Sequence, residues 1–265
     1  MAKRKQARHH QIIAELAANP VVRISSLATQ LGVSAETVRR DIDELTRRGV
    51  VERTYGGAAV RPVAVQPAVL DRDRLSVAER ARIGRHAAGL VRAGDVVMID
   101  SGSTTTQLAR ALGARPIALT VLTNNIDIAA ACAHNPDCRV ILAPGDFDAR
   151  ERGLYGAETT GFLRRFHADL AFIGASGLTV DGPTEVETRA VWVKREMLER
   201  AAMTRLLVDS TKFGGRHLEI VCPLERLGGI VTDRAPEGTL GAAVRRARID
   251  LEVASDETNL IDLPQ

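Results

Sequence analysis

Apolar positions in the first fifty residues recur at helical spacing. Ile12, Ile13 and Leu16 share one face of a segment from about Arg8 to Ala18, which Asn19-Pro20 stops. Val21-Val22-Arg23-Ile24 reads as a short extended piece. Leu27, Ala28 and Leu31 then face inward from a second, short helix, with Ser25 or Ser26 as its cap and Gly32 as its breaker. Ser34 is placed to cap a third helix, Ala35 to Arg48, in which Val38, Ile42 and Leu45 recur at four and three residues. Helix, Gly-containing turn, helix is the helix-turn-helix pattern, whose second helix offers its N-terminal residues to base edges in the DNA major groove. Here those residues are Ala35, Glu36, Thr37, Arg39 and Arg40. After Gly49, two short apolar strands flank Thr54-Tyr55-Gly56-Gly57. This reads as a β-hairpin wing with Arg53 and Tyr55 set to touch the DNA backbone or minor groove.

Beyond residue 76 the pattern changes. Short aliphatic runs at Val96–Ile99, Ile117–Leu122, Val140–Ala143, Leu170–Ile173, Leu206–Val208, Ile220–Val221 and Ile230–Val231 alternate with amphipathic stretches. The latter lie at 78–92, 104–112, 125–133, 159–166, 188–202 and 237–247. Continuous apolar runs suit strands buried on both faces, so the alternation predicts a mostly parallel sheet wrapped by helices. The division is therefore a winged helix-turn-helix domain at 1–60, a linker at 61–76 marked by Pro62 and Pro67, and an α/β domain at 77–265.

In such a fold ligands gather at the carboxyl ends of the strands, and the small polar residues of this chain concentrate there. They are Asp100-Ser101-Gly102-Ser103-Thr104-Thr105, Thr123-Asn124-Asn125, Pro144-Gly145-Asp146, Gly174-Ala175-Ser176-Gly177 and Asp209-Ser210-Thr211-Lys212. Any one of these is ordinary turn chemistry; their convergence on one edge marks a ligand site. The loop from Asp100 opens a helix, so the N–H groups of Gly102 to Thr105 and the hydroxyls of Ser101, Ser103, Thr104 and Thr105 form a cradle for phosphate. It contains no lysine and is no nucleotide P-loop.

Charge sharpens the division. The chain of 265 residues carries a formal net charge of +3, with ten Lys/Arg against six Asp/Glu in residues 1–60 and 26 against 27 in the rest. The positive excess sits where a polyanion is expected to bind. Cys132, Cys138 and Cys222 lack a Cys-x-x-Cys pair and read as buried or half-buried thiols, and the six histidines have no metal-ligand spacing, so neither a metal nor a cofactor is expected. The charged opening Met-Ala-Lys-Arg-Lys is unlike a secretion signal, and no apolar run approaches the ~18 residues of a membrane span. The expectation is a cytoplasmic protein.

The stretch S-A-E-T-V-R-R-D-I-D-E-L-T-R-R-G-V-V-E-R-T-Y-G-G-A, Ser34 to Ala58, closely resembles the DNA-binding signature of the DeoR family of bacterial transcriptional regulators. Ser34, Thr37, Arg39, Arg40 and Asp41 match it, and Tyr55 stands where the family usually has histidine. The resemblance continues through D-S-G-S-T-T at 100–105, L-T-N-N at 122–125, D-L-A-F-I-G at 169–174, K-R-E-M at 194–197 and D-S-T-K-F-G at 209–214. It implies a ribose-5-phosphate isomerase-like effector domain that binds a phosphorylated sugar or polyol, operator DNA as partner, and a homo-oligomer, dimer or tetramer. It also implies that Lys194 or Lys212 supplies the missing cation, with Asp100 accepting from sugar hydroxyls. Glu185 and Glu187 either face the sugar or cap the helix that follows.

Two functions compete on this reading. One is a ligand-responsive regulator, most often a repressor in this family, with no catalytic residue. The other is a sugar-phosphate isomerase fused to a DNA-binding head, which needs a poised general base such as Asp100, Asp146 or Glu185. Turnover would erase the signal a sensor must read, which favours the regulator.

Overall fold

The computed structural model describes residues 8–9, 11–12, 15, 21–47, 51–54, 57–60 and 76–255. The chain forms two compact units, Met1–Pro67 and Ala68–Gln265. In the first, strand β1 (Val21–Arg23) leads into helix α1 (Ile24–Leu31), and helix α2 (Ala35–Arg47) follows a three-residue turn. Strands β2 (Val51–Thr54) and β3 (Gly57–Val60) form the expected hairpin, and β1 pairs with β3 to make a three-stranded wing sheet of order β1-β3-β2. Ile12, Val22, Ile24, Leu27, Val38, Ile42 and Leu45 close the core of this unit.

The α1 boundary differs from expectation. The helix starts at Ile24 with Arg23 as its N-cap and no side-chain cap, so Ser25 and Ser26 lie inside the first turn, both exposed. β1 runs directly into the helix because burying Ile24 in the core fixes where the turn begins. Gly32 ends α1 in the left-handed region, φ 62°, and its N–H bonds the carbonyls of Ala28 and Thr29. Ser34 caps α2 as expected, accepting from the Thr37 N–H at 3.2 Å.

The second unit is a three-layer α/β domain. It comprises α3 (Val77–Gly89), β4 (Val96–Ile99), α4 (Ser103–Gly113), β5 (Leu119–Thr123), α5 (Ile126–Cys132), β6 (Cys138–Leu142), β7 (Asp146–Asp148), β8 (Gly153–Tyr155) and α6 (Ala157–Leu163). There follow β9 (Ala168–Ile173), β10 (Gly177–Thr179), β11 (Gly182–Glu185), α7 (Thr188–Arg200), β12 (Ala201–Leu207), β13 (Glu219–Ile220), β14 (Gly229–Thr232), α8 (Gly238–Arg246) and β15 (Asp250–Val253). Seven strands form one parallel sheet of order β15-β14-β12-β9-β4-β5-β6. Successive strand residues point to opposite faces, so Met98, Leu122, Ile173, Leu206 and Ile230 pack with α6, α7 and α8. Val97, Ile99, Val121, Phe172, Leu207 and Val231 pack with α3, α4 and α5.

Two expectations for this sheet are corrected. The run at Ile220–Val221 is not one of its strands: β13 pairs antiparallel with β11 in a small sheet of order β10-β11-β13. The sheet instead ends at β15, whose Asp250 and Glu252 both ion-pair with Arg205 of β12. That guanidinium packs where a Cβ on Gly229 of the intervening β14 would stand. Arg205 thereby compensates two carboxylates that make β15 look too polar for a sheet strand.

A second long-range pair joins α3 to the end of β12. The Arg80 Nε donates to Asp209 Oδ2 at 2.9 Å, with side-chain exposures of 4% and 1%. Burial pushes the Asp209 carboxyl up, but Arg80, Lys212 and the Thr211 hydroxyl together hold it below the ordinary carboxylate range. A depressed folded pKa contributes stability above the unfolded value, about 3.9, and the contribution is lost as pH falls through the folded value. Arg80→Ala removes the ion-pair partner of a buried carboxylate and is expected to cost about 3–5 kcal/mol at pH 7. Urea unfolding across pH checks this: the gap from the parent should narrow below about pH 4, where the parent loses the same ion pair.

Candidate functional site

The sheet order sets β12, β9, β4 and β5 side by side, so the segments after Leu207, Ile173, Ile99 and Thr123 share one edge. They carry Asp209, Gly174, Asp100 and Asn124. β4 ends in Asp100-Ser101-Gly102, and α4 starts at Ser103. The N-cap Gly102 has extended backbone and α4 has no side-chain cap, so among the described residues no carboxylate or hydroxyl sits on the N–H donors of its first turn. A Cβ on Gly102 would stand 3.0 Å from the Thr105 hydroxyl, which explains the small residue there.

The loop is held from behind. Ser101 N–H donates to Asn124 Oδ1 at 3.1 Å, and Asn125 Nδ2 donates to Ser101 Oγ at 2.8 Å. Asn124 Nδ2 donates to the Leu154 carbonyl, and Asn125 Oδ1 caps α5 by accepting from the N–H groups of Asp127 and Ile128. Thr123 Oγ1 accepts from Asn125 N–H. Thr105 Oγ1 donates back to the carbonyls of Asp100 and Gly102, and Ser101 Oγ donates to the Glu151 carbonyl. Of the hydroxyls expected to line a cradle, those of Ser101 and Thr105 therefore shape the turn. Ser103 and Thr104 keep 8% exposure each.

Beside the turn lies a buried charge cluster. Lys194 of α7 ion-pairs with Asp100 Oδ2 and with Glu185 Oε1, the latter at 3.4 Å, and its side chain is 3% exposed. Asp100 Oδ1 accepts from Gly174 N–H at 3.0 Å, and Ser176 Oγ donates to Glu185 Oε2 at 2.6 Å. Burial alone disfavours the Lys194 charge, but Asp100 and Glu185 more than restore it and hold the ammonium above the ordinary lysine range. Two carboxylates share that one cation. Burial, with the like charge of Glu185, accordingly leaves Asp100 above the usual carboxylate range despite Lys194. Asp100, Gly174, Ser176, Glu185 and Lys194, spread over almost a hundred residues of chain, are thus one constellation.

Other expected residues do different work. Gly145, at φ 148°, has the Tyr155 carbonyl and the Thr159 hydroxyl where a Cβ would be, and Gly177 lies against the Gly215 carbonyl in the same way. Both are close-packing glycines. Glu187 is the N-cap of α7, accepting from Arg189 N–H. Lys212 ends a 3-10 turn, Ser210–Lys212, behind Asp209. In the first unit Glu36, Arg39 and Arg40 are exposed on α2, while the Ser34 and Thr37 hydroxyls bond each other at 2.9 Å. Arg53 lies on β2 with its side chain outside the described residues, and Tyr55 lies outside them altogether.

Sequence reading missed Tyr155 and His217. Tyr155 is 1% exposed and carries Arg189 over its ring at 5.4 Å; burial pushes its phenol up. His217 Nε2–H donates to the Ser176 carbonyl at 3.1 Å, and burial followed by Lys212 lowers its pKa, so it is neutral at pH 7. Neither residue sits in a motif: Tyr155 lies on the short strand β8, and His217 lies in the irregular segment before β13.

Replacing Lys194 with Met should cost about 3–5 kcal/mol, because Asp100 and Glu185 lose their shared cation. Adding Asp100→Asn should recover part of that loss, since it removes one of the two carboxylates. Denaturant midpoints of the three proteins at pH 7 and pH 5 check it, with the smaller deficit expected at the lower pH.

Comparison with known proteins fits both units. The DeoR-like helix-turn-helix domain matches residues 8–62, and the DeoR C-terminal sensor domain matches residues 75–234. The chain is 31% identical to the glycerol-3-phosphate regulon repressor of Escherichia coli K12, over 94% of this chain and 99% of that one. It is 30% identical to the HTH-type transcriptional repressor GlcR of Bacillus subtilis 168, over 87% and 89%. Among solved structures, ribose 5-phosphate isomerase A of Methanocaldococcus jannaschii gives a TM-score of 0.38 at 16% identity, over 51% of this chain and 53% of that one. The two family models, with a relative 31% identical over 94% of the chain, settle the family: this chain belongs to the DeoR family of transcriptional regulators.

Proposed function

We propose that this regulator represses a carbohydrate or polyol operon and that a phosphorylated sugar or polyol, bound at the shared strand edge, controls its affinity for DNA. The observation that carries the reading is the uncapped first turn of α4 beside the Asp100–Lys194–Glu185 cluster. N–H donors with no side-chain partner among the described residues, at the favourable end of a helix dipole, suit a phosphate. Buried polar groups next to them suit hydroxyls. The named relative that represses a glycerol-3-phosphate regulon supports the same ligand class. Operator binding falls to the exposed Glu36, Arg39 and Arg40 with Ser34 and Thr37 at the start of α2, and to Arg53 and Tyr55 of the wing. The active form is a cytoplasmic homo-oligomer, because a two-fold assembly reads two half-sites.

An isomerase needs a carboxylate ready to take a proton from carbon. Asp100 and Glu185 are each committed to Lys194 and to one further donor, Gly174 N–H or Ser176 Oγ–H. That arrangement favours holding a ligand over turning it over.

The test is a binding titration with a duplex selected from random sequence by the parent protein. Arg39→Ala and Arg40→Ala should each weaken binding by about 1–3 kcal/mol where the lost contact is bidentate to a base. Unchanged binding by both variants at matched salt would remove the recognition-helix assignment. In the same assay a panel of sugar and polyol phosphates should shift the parent's DNA affinity while their unphosphorylated forms do not. Ser103→Asp should abolish the shift by repelling phosphate and leave effector-free DNA binding intact. A Ser103→Asp protein that responds at the parent's effector concentration rules out phosphate at α4.

A further inference from the structure

The run Arg39-Arg40-Asp41 divides on the surface of α2. The Arg39 and Arg40 side chains are 53% and 79% exposed and lean on Glu36 at 3.7 and 3.3 Å, whereas the Asp41 side chain is 3% exposed. One residue along a helix is a rotation of about 100°, enough to carry Asp41 from the outer face to the inner one. There it meets two residues more than thirty positions earlier. Arg8 Nε and Nη2 donate to Asp41 Oδ2 and Oδ1 at 2.5 and 3.1 Å, and His9 Nε2 bonds Oδ1 at 3.0 Å. Arg8 and His9 are helical, and His9 is 5% exposed.

We propose that Asp41 is a positioning residue for DNA recognition: its buried carboxylate, forked by Arg8 and held by His9, fixes the roll of α2 and thereby the direction in which Arg39 and Arg40 point. The apolar seam cannot do this alone. Val38, Ile42 and Leu45 bury α2 against Leu27, Ile24 and Ile12, but apolar burial is non-directional and tolerates small rotations. A two-point guanidinium–carboxylate contact does not. Burial pushes the Asp41 carboxyl up, yet Arg8 and His9 together hold it below the ordinary range, so the clamp stays ionised at neutral pH. An acidic residue directly beside two DNA-facing arginines is thereby kept away from the phosphates it would repel.

The experiment measures the affinity of the full-length protein for two duplexes of equal length, one selected by the parent and one scrambled, as a function of salt. Asp41→Asn keeps the side-chain size and removes the charge. It should lose about tenfold on the selected duplex, the scale of one bidentate base contact, and stay within about twofold on the scrambled one. Its salt slope should equal the parent's, because no phosphate contact is lost. Arg8→Ala should reproduce that pattern, and the double variant should be no worse than the weaker single one. Three results overturn the proposal. One is selected-duplex affinity unchanged in Asp41→Asn. A second is an equal loss on both duplexes, which reports a collapsed head and not a rotated helix. The third is a salt slope lowered by about one unit in Arg8→Ala with additive losses, which makes Arg8 a backbone contact independent of Asp41.

Discussion

The second unit depends on one buried ammonium. Lys194 reaches from α7 to Asp100 at the end of β4 and to Glu185 at the end of β11, and so ties a helix, the main sheet and the small antiparallel sheet at a single point. Its two carboxylates are anchored separately, by Gly174 N–H and by Ser176 Oγ–H, which extends the tie to the segment after β9. Taking three charges out of water costs several kcal/mol per ion, and only good geometry with further hydrogen bonds recovers it. A cluster like this is poor evidence for stability. What it gains is definition: the segments that follow β4 and β9 have one arrangement that satisfies every oxygen, and the first turn of α4 is placed by that arrangement.

Much of this was legible in the sequence, and what was missed has a common cause. β4 was read to the residue, and helices α3 to α8 were each read within three residues of either end, because apolar periodicity is a local signal and these elements bury regular faces. β7, β8, β10 and β11 were missed because they are three or four residues long and contain pieces such as Gly-Pro-Thr-Glu. Their hydrogen-bond partners make them strands, not their own composition. β15 was missed for another reason. Its Asp250 and Glu252 are acceptable only because Arg205 lies two strands away. The strand-end segments were found because turn residues are also local. Which side chain faces which was not, since Asp100 to Lys194 and Arg80 to Asp209 are pairings that only the strand order creates.

The same distinction explains the DNA-binding head. Ser34 and Gly32 were readable as cap and breaker, because each acts within four residues of its own position. Asp41 was readable as part of a signature but not as a buried residue. Its neighbours Arg39 and Arg40 are exposed, and a three-residue charged run looks uniform until the helix is wound. Charged residues at successive helical positions cannot share one environment, and here a single step of rotation separates them.

The electrostatics of the strand edge also constrain the proposed effector's orientation. Asp100 and Glu185 already share Lys194 between them, so a phosphate set against the cluster would find its cation taken and carboxyl oxygens beside it. The first turn of α4 offers the opposite: donors with no side-chain acceptor among the described residues, at the positive end of a helix. Under the proposed function, a sugar phosphate would therefore be oriented with the anion at α4 and the hydroxyls toward the carboxylates and Ser176. A ligand changes DNA affinity only by as much as it prefers one state of the protein to the other, and the coupling acts equally in both directions. On this reading the preference arises at the end of β4, because Asp100 and the α4 turn are consecutive in the chain: whatever moves the turn to meet a phosphate also moves the residue that Lys194 holds.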